Sequence, residues 1–222
     1  MSAAAPRQIS LQQIREQMYS AVICDALDSV GLRNQSPRIP LQQLTSTNML
    51  VGRCRTTLWA DMFHTDPQPY ALELQAVDSC QPDDVFIAAA GNSMRSGIWG
   101  ELLTTAVMNG GCVGAIVDGA IRDVQKIREL DFPVLALGTS PYDSKDRQRV
   151  IDCNIPVEIG GVVFSPGDLV VADVDGIVVI PRSVEDEVLQ RAWKKVHDEN
   201  MVRDAIRGGM KATTAFETFG VL

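Results

Sequence analysis

The sequence predicts an α/β fold with a largely parallel core and a second part that is antiparallel or mixed. Three observations predict it. Apolar, strand-like runs alternate with helical segments between residues 85 and 137. Four short β-rich runs, separated by Gly and Pro turns, crowd residues 150–181. Helical patterning brackets both, over 10–31 and 184–219. Alternation of the first kind favours parallel strands with right-handed crossovers, whereas short strands with tight turns favour hairpins.

The elements follow in order. Ser10 with Gln13 matches a capping box ahead of Leu11, Ile14 and Met18, which keep helical spacing. Val22, Ala26 and Leu27 extend the apolar face to Gly31, and a change of phase at Ser20 fits the cap of a second short helix. After the turn Pro82-Asp83-Asp84, residues 85–89 form the first core strand. Residues 91–100 read as a Gly/Ser loop, and 101–109 as a helix ended by Gly110-Gly111. Residues 113–117 are a wholly apolar strand, 122–130 a helix and 133–137 a third strand. The β-rich runs are 150–159, 162–164, 169–172 and 177–180, with Gly160-Gly161, Pro166-Gly167-Asp168 and Asp175-Gly176 between them. A charged helix over 184–207 stops at Gly208-Gly209, and 211–219 form a last short helix. Residues 81–87 echo residues 165–171, which reads as reused turn-then-strand chemistry rather than a duplicated domain. No linker divides the chain, so residues 1–222 are expected to form one domain.

Composition narrows the function. Hydrophobic residues make up 45% and charged residues 22% of the 222, which excludes a disordered, collagenous or disulfide-dense chain. A net charge of -8 repels phosphodiester backbones, so no nucleic-acid partner is expected. Five cysteines, an odd number with no Cys-x-x-Cys pair, point away from disulfides and structural zinc. Residues 1–7 lack an apolar leader core, and no run approaches ~18 apolar residues, so no membrane span is expected and the protein is expected to be cytoplasmic.

Elimination narrows the chemistry further. The two histidines, His64 and His197, are isolated, and no nucleophile elbow, phosphate-binding loop or Gly-x-Gly-x-x-Gly run occurs, so no nucleotide cofactor is expected. All five lysines lie in polar local sequence, which disfavours imine chemistry.

Two segments remain. Gly97-Ile98-Trp99-Gly100-Glu101-Leu102-Leu103 carries a glycine-rich loop into a helix, whose first-turn amides lack intrahelical acceptors and favour an anion. Val117-Asp118-Gly119-Ala120-Ile121-Arg122-Asp123 runs past the C-terminal end of a strand, the edge where α/β sheets bind ligands. Arg122 suits a carboxylate or enolate oxygen and Asp123 a metal, the two flanking a ligand rather than pairing. Each segment alone also has a plain structural reading: a capped core helix, or Asp123 as a cap and Arg122 in a surface ion pair. Twenty residues separate Glu101 from Arg122, one helix plus one strand, which can bring both to one sheet edge.

On these motifs the chain resembles the RraA-like family, which includes class II pyruvate aldolases acting on 4-hydroxy-4-methyl-2-oxoglutarate and 4-carboxy-4-hydroxy-2-oxoadipate. The likeness extends through Leu130-Asp131-Phe132-Pro133-Val134, Pro166-Gly167-Asp168-Leu169-Val170-Val171-Ala172-Asp173, Asp175-Gly176, Glu199-Asn200 and Phe219-Gly220-Val221-Leu222. It implies an α/β/β/α sandwich with a swivelling β/β/α core and mixed sheets, assembled as trimers or hexamers with sites at subunit interfaces. It implies a Mg or Mn ion on Asp123, a substrate loop of Gly100, Glu101, Leu102 and Leu103, and Arg122 on the substrate oxygen. A glutamate from a neighbouring subunit, matched here by Glu199, supports the waters of the ion. The aldolases carry Asp where this chain has Glu101, and often an acidic residue where it has Lys126, so the metal surroundings are less acidic here.

The expected function is therefore a metal-dependent lyase that releases pyruvate from a 4-hydroxy-2-oxo acid, with oxaloacetate decarboxylation as a side activity. Two other classes are weighed. A non-catalytic regulator of a ribonuclease would not need both Arg122 and Asp123, and a methyltransferase would need a glycine motif that is absent. Trp59 and Trp99 are read as packing residues, Trp99 also as a wall of the site. Asp25 and Asp28 are read as cap or solvation residues, His64 as a loop residue in reach of a distal carboxylate, and Arg53 and Arg55 as facing a neighbour.

Overall fold

The computed structural model describes residues 8–220; residues 1–7 of the leader reading, and Val221 and Leu222, lie outside it. In chain order the elements begin with α1 (Leu11–Gln17), α2 (Ser20–Ser29), β1 (Gln42–Gln43), β2 (Leu50–Asp61) and α3 (Ala71–Asp78). The core continues with β3 (Asp84–Trp99), α4 (Glu101–Asn109), β4 (Gly114–Ile121), α5 (Val124–Glu129) and β5 (Val134–Thr139). Then come β6 (Gln148–Cys153), β7 (Val157–Ile159), β8 (Val162–Phe164), β9 (Leu169–Asp173), β10 (Gly176–Ile180), α6 (Glu185–Arg207) and α7 (Ala212–Phe219).

One mixed sheet holds most strands, in the order β1-β5-β4-β3-β2-β9-β10, with β6 also on β2. β3 to β5 are mutually parallel, as the alternation predicts, β2 joins them in parallel on β3, and β9–β10 is the antiparallel hairpin predicted at Asp175-Gly176. β7 and β8 form a separate two-stranded sheet.

Alternate residues of the strands enter different cores, because successive side chains point to opposite faces. Phe86 and Ala88 of β3 pack with Ala76, Val107 and Ile127 of α3, α4 and α5. Val51, Val171 and Val178 lie among Val22, Leu27 and Leu189 of α2 and α6. Val85, Ile87 and Ile116 meet Val157, Ile159 and Phe164 of the small sheet. All eight residues of β4 are buried, which is why its first part, to Val117, reads as an apolar run.

The second short helix expected near Ser20 is present, and Ser10 and Gln13 do form the capping box of the first. Several expectations need correction. Ser20 is not a cap but the first residue of α2, and its amide and hydroxyl both donate to Asp173, at 2.7 and 2.6 Å. A carboxylate from β9 thus does the capping. Residues 91–100 are not a free loop: β3 runs on to Trp99, with an excursion at Gly91 (φ 60°) and Asn92 (φ 63°). The partner of Ala89 is Asp118, whereas Trp99 already pairs with Ile121, so the excess residues arch out. Buried Asp118 ties that arch by accepting from the Asn92 amide at 3.1 Å. The run 150–159 is two strands, parted by Asn154 (φ 57°) and Pro156.

Within the chain, Arg53 and Arg55 bind Glu185 and Asp84. The sequence echo is real turn chemistry. Asp84 and Asp168 each donate their amide to residue i−3 at 3.1 Å, and each carboxylate accepts from that same residue's amide. The two turns flank β2 on either side of Arg53.

Candidate active site

The C-terminal ends of β3, β4 and β5 lie side by side. Past β3, Gly100 stands as the N-cap of α4 with extended backbone and no side-chain cap. The Leu102 and Leu103 amides fall in the first turn, where helix geometry supplies no acceptor. Trp99 is fully buried; its indole donates to Thr104 Oγ1 at 2.9 Å, and that hydroxyl donates to the Gly100 carbonyl at 2.9 Å, which fixes the start of the helix.

Past β4, the Arg122 amide donates to the Trp99 carbonyl at 2.8 Å, joining the two segments. Asp123 then takes a left-handed backbone, φ 55°. Non-glycine residues rarely hold that conformation, and it collects at functional sites. Asp123 occupies the N-cap of α5 yet makes no side-chain cap bond. Its Oδ2 turns instead toward α4, 3.4 Å from the Glu101 amide and 3.8 Å from Arg122 Nε. The reading of Asp123 as a cap is therefore overturned. So is the reading that Arg122 and Asp123 do not pair, because the left-handed turn swings both side chains to one side.

A cavity of roughly 310 Å³ opens here. Gly100, Leu102, Leu103, Arg122 and Asp123 line it, so five of the expected residues meet. Gly97 and Gly100 make this close approach possible: a Cβ on Gly100 would lie 2.8 Å from Asp123 Oδ2, and one on Gly97 2.5 Å from the Ser140 carbonyl.

Three ionisable lining residues escape the sequence reading: Tyr70, Glu73 and Asp143. Asp143, in the segment after β5, accepts from Arg122 Nη1 at 3.1 Å and from the Tyr70 hydroxyl at 2.9 Å. Burial alone would raise its carboxyl, but the Lys145 amide, Tyr70 and Arg122 outweigh burial and hold it below the usual range. Tyr70 is pushed up to about 12, first by burial and then by its bond to Asp143. Glu73 is 5% exposed, and burial, reinforced by Asp143, lifts it to about 8 against the pull of Arg122. The one available signal was Tyr70 itself, a bulky residue in the left-handed region (φ 66°), and that is a structural signal.

Other candidates fall elsewhere. Glu101 does not line the cavity; its carboxylate accepts from Thr105 at 3.0 Å along α4. Glu199 lies on α6, accepting from the Tyr19 hydroxyl at 2.6 Å, beside a different hollow. His64 is exposed in its loop and outside the lining, and Trp99 packs on Phe86 at 4.8 Å rather than walling the site. Asp25 bonds Lys195 at 2.6 Å, and all five cysteines are free.

The donor set bears on a metal. Among the described residues, no three His, Cys, Asp or Glu side chains gather as a ready cage. Asp123 offers one carboxylate with only long-range partners, open to the cavity. A lone carboxylate suits a hard cation that takes its remaining oxygens from ligand and solvent.

An α/β fold whose strand ends bring a guanidinium and a carboxylate to the start of a helix presents a pocket suited to an anionic, oxygen-rich ligand. The RraA-like family model, described as Aldolase/RraA, matches residues 20–179, and the chain belongs to that family. It is 34% identical over 194 residues, 87% of each chain, to a protein of Halalkalibacterium halodurans named "Putative 4-hydroxy-4-methyl-2-oxoglutarate aldolase". Among solved structures it is similar to Streptomyces coelicolor RraAS2, whose description places it in the RNase ES inhibitor RraA family. The TM-score is 0.77 at 30% identity, over 89% of this chain and 99% of that one. A Geobacillus kaustophilus protein described as an S-adenosylmethionine: 2-dimethylmenaquinone methyltransferase matches with a TM-score of 0.62 at 27% identity, over 74% and 95%. Among the described residues, no helix is long and apolar enough to cross a membrane.

Proposed function

We propose that this protein is a divalent-metal-dependent lyase that breaks a C–C bond of a 4-hydroxy-2-oxo acid and releases pyruvate. The observation that carries the reading is the meeting of Arg122, Asp123 and the uncapped start of α4 in one cavity. The aldolase names of relatives support it.

The uncapped amides of Leu102 and Leu103 hold the substrate carboxylate, as helix starts hold anions. Arg122 donates to the 2-oxo oxygen. As the C3–C4 bond breaks, its electron pair moves onto that oxygen as an enolate, and the guanidinium stabilises the charge there. The 4-hydroxyl loses its proton and becomes the carbonyl of the departing half; C3 then gains a proton to give the methyl group of pyruvate. Water carries these protons; Glu101, beside the cavity at the start of α4, would turn from Thr105 to order it, with Glu199 from a neighbouring subunit of a trimer or hexamer. Asp123 would hold Mg or Mn, which when bound supplies Lewis acidity at the 2-oxo oxygen. Loss of carbon dioxide from oxaloacetate forms the same enolate, so decarboxylation accompanies the main activity. No nucleotide cofactor takes part, and the reaction is cytoplasmic.

The test is pyruvate release from 4-hydroxy-2-oxo acids and oxaloacetate with Mg or Mn, with and without chelator. Asp123→Ala and chelation should each abolish turnover, and Arg122→Ala should lower kcat by about 10²-fold or more. Full activity in excess chelator would overturn metal dependence, and a change in KM alone would reduce Arg122 to a binding residue. Likeness to RraAS2 favours a second reading, a non-catalytic regulator of a ribonuclease. Ribonuclease capture that survives Arg122→Ala, in a protein that releases no pyruvate, would establish that one instead.

A further inference from the structure

The cavity has a wall that the proposed reaction leaves unused. Tyr70 and Glu73, at the start of α3, and Asp143, after β5, build it beside Arg122. We infer that Asp143 is the positioning residue for Arg122: its carboxylate, itself held by Tyr70 and the Lys145 amide, aims the guanidinium at the 2-oxo oxygen. The inference rests on the reading above, in which Arg122 stabilises an enolate.

Arg122 needs such a guide. The root of its side chain is fixed, because its amide donates to the Trp99 carbonyl and its Cβ packs on Gly97, where an added Cβ would lie 2.9 Å away. The far end is long and rich in rotamers, so holding it in one place costs entropy. Asp123 does not hold it: Nε lies 3.8 Å from Oδ2, beyond hydrogen-bond reach. Left to itself, a guanidinium beside an open carboxylate closes onto it as a two-pronged pair. Asp143 pulls the other way, its Oδ2 accepting from Nη1 at 3.1 Å.

Asp143 is itself fixed. Its Oδ1 accepts from the Tyr70 hydroxyl and from the Lys145 amide, both at 2.9 Å. One oxygen is thus anchored to α3 and to the backbone, and the other is presented to Arg122. Against burial, the Lys145 amide, Tyr70 and Arg122 keep the carboxyl below its usual range, so it is charged at neutral pH. Glu73 on the same wall keeps its proton up to about 8, through burial first and then Asp143, so at neutral pH it does not compete for Arg122. These contacts all lie within one chain, and no neighbouring subunit is needed to make them. Asp143 takes one N–H of a guanidinium that has five, which leaves donors for the ligand.

Kinetics and calorimetry on the full chain test this. Asp143→Asn keeps the shape of the side chain and removes its charge. It is expected to lower kcat for pyruvate release by about tenfold or more and to leave KM within about twofold, because a misaimed donor is missed most where the enolate forms. An unchanged kcat, or a rise in KM alone, overturns the inference. Tyr70→Phe removes only the hydroxyl that anchors Asp143 and should lower kcat by about threefold; no fall counts against the inference. The second measurement is the binding of oxalate, a planar dianion shaped like the enolate of pyruvate, at one fixed Mg concentration. Asp143→Asn should weaken oxalate by about fivefold in the parent and leave it unchanged in Arg122→Ala. Equal effects in the two backgrounds, or a parent that does not bind oxalate, overturn the inference. A parent that binds oxalate but releases no pyruvate refutes the lyase reading, while the oxalate comparison still decides whether Asp143 acts through Arg122.

Discussion

Replacing Glu73 by Gln removes an ionisable group at nearly constant volume from a site that is 5% exposed. Burial, then Asp143, holds its proton up to about 8 from an ordinary 4.5. The folded state therefore binds more protons than the unfolded chain between those values, and stability falls as pH rises through that window. Below about 4.5 both states carry the proton and the penalty vanishes. At ~1.4 kcal/mol for each pH unit, the full penalty is at most about 5 kcal/mol above pH 8. About 2–3 kcal/mol of it accrues between pH 6 and 9. Urea denaturation of the parent and Glu73→Gln at both pH values measures it. The variant should gain about 2–3 kcal/mol on the parent from pH 6 to pH 9. A difference that stays flat would show that Glu73 ionises freely, and the account of this wall would fail.

Three further outcomes are expected. Gly100→Ala keeps an extended backbone but puts a methyl group 2.8 Å from Asp123 Oδ2 and 3.2 Å from Arg122 Cγ. Both side chains are partly exposed and can move, so pyruvate release should fall by about tenfold while stability changes by less than about 1 kcal/mol. Gly97→Ala meets backbone instead, the Ser140 carbonyl at 2.5 Å, and should cost about 1–3 kcal/mol in denaturant melts. Asp173→Ala strips the start of α2 of its acceptor for the Ser20 amide and hydroxyl; a loss of about 1–2 kcal/mol, read as a fall in Tm of about 2–8 °C, is expected.

Much of the fold was legible because burial writes itself into sequence. β4 reads as a strand because both its faces are covered, and α4 ends at the Gly110-Gly111 turn the sequence names. β2 was legible only as a hint at Arg53 and Arg55, because ion pairs and Thr residues interrupt its pattern. α3 was missed for a different reason: Leu72-Glu73-Leu74-Gln75-Ala76 alternates with a period of two, the signature of a strand, while tertiary contacts make it a helix. With α3 went Tyr70 and Glu73, and the second wall of the cavity. Asp143 was hidden too, since nothing local marks a loop carboxylate that meets Arg122 from 21 residues away.

Motif and geometry therefore carry different parts of the chemistry. Spacing brings Arg122 and Asp123 to the start of α4, but spacing alone leaves Asp123 as an ordinary cap of α5. The left-handed backbone at φ 55° excludes that, for it turns Oδ2 away from α5 and toward the Glu101 amide. Such a backbone costs about 1–2 kcal/mol in an L-residue with a Cβ, and Asp tolerates it better than most. Asp123→Gly would relieve the strain and Asp123→Asn would keep it, while both remove the charge. If the strain serves to aim a carboxylate, both variants lose pyruvate release and only the glycine variant gains stability. Should Asp123→Asn keep its turnover, the carboxylate is not the group that the backbone is bent to present.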